Sequence, residues 1–458
     1  MARKYNYQLF YLILIILLIF LLWWLFIRPN PTNYSVVEKK DGKFSWNVLF
    51  KEGTSEQERN SAIKRINTYI NDVYIQINKS RGKGSLLKPD SVSVFTCKCD
   101  SLLYNIDFNS IDGEGRSVTT GPATPVSGTP GGAGDYLGTT VSDNSIVSDR
   151  DQYVANISAY NKGSNYPNST IPVDSTKILA IIDSGFDTTK FTPIVRNYIW
   201  KDNAGSPTLY NFLPGQSVSD FSDQTVGKHG SAVMAIAIKA LAASGTFPRI
   251  MILKALNENN KGSIFSVSCA LKYAMLKKAT VVNLSLGYLG AFDSILHHYI
   301  SLTNKTNPAT ELFIAAGNSP EPHNNNFCDH NPSNLLTKNH EFYPACFSPM
   351  YNNITTVTQI STKDSSCNYQ YYSDIFVNVG IYDSLNCCTT PVRFQADSLR
   401  FYEGTSFATP AASGMRMSTL LNTADVAAAN QSWNMQMKSA PKNKITVKGH
   451  YISYSPSW

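Results

Sequence analysis

Ile178-Leu179-Ala180-Ile181-Ile182-Asp183-Ser184-Gly185 is an unbroken apolar run that ends at a carboxylate and a turn. A run without polar alternation is a strand covered on both faces, which is how parallel sheets are written. From here on, apolar runs alternate with helical segments. Ser231–Ala243, Ile264–Lys278 and Phe292–Leu302 read as helices, and Arg249–Leu256, Val281–Leu286 and Leu312–Ala316 as strands. Strand-helix alternation of this kind predicts an α/β fold, a parallel sheet flanked by helices, over residues 151–440. A tail over 441–458 follows.

Ligands bind beyond the carboxyl ends of the strands of such a sheet, so the polar residues just after each run carry the chemical interest. Asp183 is the first of these, although Asp-Ser-Gly is also an ordinary cap or turn. His229-Gly230-Ser231-Ala232-Val233 opens an apolar helix whose Val233, Ile236 and Ala240 share a face, with the histidine just before it. The chain has 7 histidines, and a lone loop histidine is an ordinary thing. Asn283-Leu284-Ser285-Leu286-Gly287 and Ala315-Ala316-Gly317-Asn318 end two further strands. Last comes Gly404-Thr405-Ser406-Phe407-Ala408-Thr409-Pro410, a serine between a glycine turn and a helix start. Pro410 is expected in the first helical turn, where a missing N–H breaks no bond. A serine hydroxyl is a weak nucleophile that needs a general base and donors for a developing oxyanion. The other blocks contain an imidazole, a carboxylate and an amide.

These blocks, in this order, resemble the subtilisin-like serine peptidases over roughly residues 175 to 425. The Ser and Asn blocks are specific and the Asp block alone is weak. The resemblance implies Ser406 as nucleophile, His229 as base, Asp183 as the residue fixing the imidazole, and Asn318 with the Ser406 N–H as oxyanion donors. It also implies Ser285, Leu286, Gly287, Ala316 and Gly317 as substrate-binding, with a protein or peptide substrate paired as an added strand. No cofactor is expected; structural calcium has no evident site. The complete Asp, His, Asn and Ser set speaks against a catalytically silent peptide binder, the alternative function. Acyl transfer from an ester is a third.

Elsewhere the pattern thins. Phe191 to Lys228 is a long loop able to border a cleft. The polar stretch holding His323, Cys328, Asp329, His330 and His340 matches no metal-ligand spacing and reads as a surface insertion, with a Cys328–Cys346 disulfide as one pairing. Val377-Asn378-Val379-Gly380 only loosely matches the family's next strand.

Upstream, residues 112–150 form a flexible linker, rich in Gly, Thr, Ser and Pro between Asp112 and Asn144. Before it, 36–110 reads as a small α+β module: strands Phe44–Lys51, Val92–Cys97 and Leu102–Phe108, and a helix Ser55–Ile70 opened by Glu56 and Glu58. This module faintly resembles the family's inhibitory propeptides; the plain reading is a spacer. Residues 9–27 are wholly apolar, end in Trp23-Trp24-Leu25-Phe26-Ile27 and are long enough to span ~30 Å of hydrocarbon. Arg28-Pro29-Asn30-Pro31 offers no small-residue cleavage site, so a retained transmembrane helix is expected behind a short tail, 1–8. The long downstream region is then expected outside the cytoplasm, as part of a single-pass membrane protein.

With 458 residues, 43% hydrophobic and 16% charged, the chain is globular. Its net charge of +7 is dispersed, which leaves no footprint for nucleic acid. The 8 cysteines contain no CxxC pair and fit either disulfides or buried thiols.

Overall fold

The computed structural model describes residues 33–39, 43–81, 92–109, 141–142, 170–202, 210–290, 292–306, 309–319, 334–362, 365–366, 370–382, 389–393, 399–423, 425–439, 446 and 449–453. The expected span 9–27, nearly all of the linker, and the stretch with His323, Cys328, Asp329 and His330 lie outside the described residues. Among the described residues no helix is long and apolar enough to cross a membrane.

The chain divides into two compact units. The smaller contains β1 (Asn33–Lys39), β2 (Lys43–Leu49), α1 (Glu56–Arg81), β3 (Ser93–Cys97) and β4 (Asp100–Asn109) in the sheet order β1-β2-β4-β3. Trp46 pairs with Ile106 and Val48 with Tyr104 across β2 and β4. Because strand side chains alternate and helix side chains recur every three to four residues, these four meet Ile63, Ile66 and Ile70 of α1 in one apolar cluster. Ser55 and Glu58 exchange bonds at the start of α1: the Glu58 N–H donates to Ser55 Oγ and the Ser55 N–H to Glu58 Oε2. The helix runs eleven residues past the expected Ile70, and β1 is a strand that the alternation did not announce. Cys97–Asp100, the turn from β3 into β4, groups with the larger unit.

The larger unit is the expected parallel sheet. Its principal elements are β5 (Val173–Asp183), α2 (His229–Leu241), β6 (Phe247–Lys254), α3 (Ile264–Leu276), β7 (Val281–Leu284), α4 (Ser294–Lys305), β8 (Glu311–Ala315), β9 (Ile354–Thr362), β10 (Val379–Tyr382), α5 (Thr405–Asn422), α6 (Val426–Gln436) and β11 (His450–Ser453). The strand order is β11-β10-β9-β8-β7-β5-β6, every neighbouring pair parallel. Two short antiparallel pieces complete the sheet: Lys438–Ser439 at its edge and Ser365–Ser366 on β9. The chain steps from β5 outward to β6 and then returns past β5 to β7. That reversal opens a crevice at the carboxyl ends of β5 and β7.

Three details differ from the sequence reading. The loosely matched Val377–Gly380 does lead into a sheet strand, β10, and residues within the expected tail supply β11, which pairs Ile452 with Ile381. Short-range periodicity carries no signal for a four-residue edge strand. Val141–Ser142, within the expected linker, pairs antiparallel with Lys261–Gly262.

Helices α2 and α5 cross closely over the sheet. Gly414 permits it, since a Cβ there would lie 2.6 Å from the Ala237 carbonyl oxygen and 2.7 Å from Ala240 Cβ. Arg416, also on α5, is buried and forks onto both carboxylate oxygens of Glu311 at 2.6 and 2.7 Å, while another of its nitrogens donates to the Ala429 carbonyl. A planar guanidinium is suited to this two-point bond. It pins α5 to the base of β8 and to α6.

Candidate active site

Asp183 is the last residue of β5, and the buried strand behind it fixes where its carboxylate stands. Gly185 follows at φ +111, a conformation that L side chains rarely adopt, and a Cβ there would strike the Phe221 carbonyl. The turn brings the chain against the start of α2, where Gly230 is the complementary vacancy: a Cβ on it would collide with the Gly185 carbonyl oxygen. His229 is therefore held beside Asp183. Its Nδ1 lies 2.8 Å from Asp183 Oδ1, and both side chains are almost fully buried. The histidine is the first residue of α2, not the residue before it, with Lys228 in the left-handed region at φ 54 as cap.

A second buried carboxylate, Asp223, organises this corner, and no sequence pattern marks it. Asp223 Oδ2 accepts from the Ser231 N–H and Oγ–H at 2.9 and 2.8 Å, while Oδ1 accepts from Ser184 Oγ at 3.2 Å and from Thr225 Oγ1 at 2.7 Å. Ser184 Oγ in turn accepts from the Gly230 N–H, and Thr225 Oγ1 from the His229 N–H, both at 2.9 Å. Asp223 thus ties the Asp183 turn to the helix that carries His229. Lys254, buried at the end of β6, donates to the Ser184 and Ser222 carbonyls at 2.9 and 2.6 Å. Burial holds its pKa below the usual lysine value.

Ser406 is the second residue of α5, after Gly404 at φ +124. Its hydroxyl donates to the Ser285 carbonyl at 3.1 Å, and Ser285 Oγ donates to the Ser406 carbonyl at 2.7 Å. The second bond has a cause four residues on. Pro410 lies inside α5, not in its first turn as expected, so the Ser406 carbonyl receives no i+4 N–H and the Ser285 hydroxyl serves it instead. Ser285 is steadied by the Asn283 amide at 2.9 Å, and Ser413 Oγ donates to Asn283 Oδ1 at 3.1 Å. Phe407, next to Ser406, packs on the His229 ring at 5.1 Å between centroids.

Asn318, beyond the end of β8, turns its Oδ1 toward the start of α5 and accepts from the Thr405 N–H at 3.1 Å. Thr405 Oγ1 accepts from the Gly317 N–H at 3.0 Å. The Ala316 N–H goes to the Val357 carbonyl, and the Gly317 carbonyl accepts from Tyr371 N. Ala316 and Gly317 therefore contribute shape and not free N–H donors. Phe342 lies against the α-carbons of both Gly287 and Gly317, leaving no room for a side chain at either. Ser285 and Leu286 are buried.

The expected residues thus converge from the ends of β5, β7 and β8 and the first turns of α2 and α5. Cys346, offered as one possible partner of Cys328, is a buried free thiol that accepts from the Phe342 N–H at 3.3 Å, and Cys328 lies outside the described residues. Among the described residues the disulfide is Cys97–Cys269.

Residues 174–449 match the sequence profile described as "Subtilase family", which is more than half of the chain. A curated relative, Subtilisin-like protease 1 of Plasmodium berghei (strain Anka), is 26% identical over 319 residues, 62% of this chain and 49% of the relative. The chain thus spans about half the length of that protein.

Proposed function

Because this chain belongs to the subtilase family, we propose that it is a serine endopeptidase that cleaves protein or peptide substrates through an acyl-enzyme. The observation that carries the proposal is the buried 2.8 Å contact of Asp183 with His229 Nδ1, on a ring packed against the neighbour of Ser406. With Nδ1–H donated to the carboxylate, Nε2 is the nitrogen that takes a proton. In the proposed reaction it takes the Ser406 proton as Oγ attacks the peptide carbonyl, then returns it to the leaving amine; Asp183 stabilises the imidazolium meanwhile. The Ser406 N–H and the Asn318 amide N–H group, whose oxygen Thr405 already occupies, receive the oxyanion. Ser285–Gly287 and Ala316–Gly317 line the substrate channel.

We place residues 9–27 as a membrane anchor with the peptidase outside the cytoplasm, on the length and apolarity of that run. Residues 36–110 act as a tethered inhibitor, a role supported by their α+β pattern and the glycine-rich connection that follows.

A serine-directed fluorophosphonate tests the chemistry. Wild-type protein should label and hydrolyse peptides, and Ser406→Ala should do neither while keeping its unfolding transition. Undiminished hydrolysis by purified Ser406→Ala would falsify the assignment.

A further inference from the structure

Cys97 and Cys269, 172 residues apart, form a disulfide, and a third sulfur stands beside it. Cys99 Sγ is 3.3 Å from Cys97 Sγ and 3.7 Å from Cys269 Sγ, and it also donates to the Cys269 carbonyl at 3.3 Å. Cys99 is a free thiol, partly accessible, in the turn between β3 and β4. The turn Cys97–Asp100 groups with the larger unit, while the chain before and after it belongs to the smaller one. The Cys97–Cys269 bond thus joins the chain before 112–144 to the chain after it. If the chain is cut within 112–144, everything before the cut remains attached through Cys97.

We propose that Cys97, Cys99 and Cys269 form a thiol–disulfide exchange site that keeps the chain before the linker covalently attached after the linker is cut and then releases it. In the exchange, the Cys99 thiolate attacks Cys97 Sγ. A Cys97–Cys99 bond forms, the Cys97–Cys269 bond breaks, and Cys269 leaves with the bonding pair and takes up a proton, replacing the one Cys99 lost to solvent. One disulfide and one thiol exist before and after, so no oxidant or reductant is consumed. Attack at the more distant Cys269 would preserve the link. Because Cys99 Sγ lies beside the disulfide and not on its axis, the reaction begins with a rotation of the Cys99 side chain. Its use in relieving inhibition rests on the peptidase reading; the exchange itself does not.

The surroundings make the site slow at neutral pH. Burial, with the Asp100 carboxylate adding to it and Lys272 opposing, pushes the Cys99 thiol up to about 12. Asp100 also accepts from Tyr299 of α4 at 2.8 Å and faces Lys272 of α3 at 3.7 Å. Only the thiolate attacks, so the rate should climb roughly tenfold per pH unit below that value.

The experiment uses the full chain with Ser406→Ala and a site-specific protease sequence inserted at Gly128–Gly134. After cutting, the protein is held without reductant at pH 7, 8 and 9, quenched in acid, thiol-blocked and run on a denaturing non-reducing gel. One covalent species is expected immediately after cutting. Release should then quicken about tenfold per pH unit, and the freed fragment should carry a Cys97–Cys99 peptide by mass spectrometry. Cys99→Ser should stay linked, and Cys269→Ser should come apart at once. Equal release from Cys99→Ser, or no release from the native cysteines at pH 9, would overturn the proposal. The readout is covalent and independent of peptidase activity.

Discussion

Asn318 and Asp223 affect the proposed chemistry in different ways. Asn318→Ala removes an oxyanion donor and leaves the nucleophile, so fluorophosphonate labelling should persist while kcat falls by roughly 100- to 1,000-fold, the size found for such a donor in a subtilisin. Asp223→Asn keeps the shape but turns an NH2 group toward donors of Ser231 or Thr225 that in the native protein meet a carboxylate oxygen of Asp223. Unfolding free energy should drop by about 1–3 kcal/mol. If Asp223 positions His229, kcat should also fall with KM little changed, which simple destabilisation would not produce. Ser406, His229 and Asn318 can be proposed from sequence because each stands in a block of distinctive neighbours. Asp223 cannot. Its importance lies in hydrogen bonds to residues across a loop, and a lone aspartate in a polar stretch has no local pattern to reveal them.

Within the sheet, burial on both faces leaves long apolar runs that place elements closely, and β6 and α3 each lie within two residues of the expected bounds, whereas the partly exposed α1 overruns its expected end. Pro410 shows where local rules mislead. Proline suits a first helical turn, yet here it sits deeper in α5, and the lost N–H is replaced by a hydroxyl from β7's end. Ser285→Ala should therefore cost about 1–3 kcal/mol by removing that donor. Adding Pro410→Ala returns an N–H to the same carbonyl and should recover part of the loss, a coupling that chemical denaturation of the single and double variants would measure. Strict additivity would contradict it. Helix spacing has a similar dependence: Gly414→Val should separate α2 from α5, lower the melting temperature and reduce turnover together, because the His229 and Ser406 helices meet there.

The parallel architecture was readable from alternation alone, but strand order was not, since β5 and β7 are neighbours in the sheet while β6 lies between them in sequence. The Cys97–Cys269 bond was equally hidden, as cysteine spacing does not fix pairing. At this level the tethered-inhibitor role makes its own prediction. The isolated segment 36–110, added at high micromolar concentration to a chain beginning near Asp151, should slow peptide hydrolysis. Unchanged hydrolysis would leave that segment as a spacer.

Synthesis runs from Asp183 to Ser406, and the ribosome delivers the parts of this site in that order. Asp183, His229 and their Asp223 brace emerge well before α5, which docks onto the earlier strand β8 through the Arg416–Glu311 bond. At about 5–20 residues per second, roughly ten seconds to half a minute separate the synthesis of His229 from that of Ser406. On the proposed chemistry a nascent chain therefore lacks its nucleophile until almost the last of its sheet has been made.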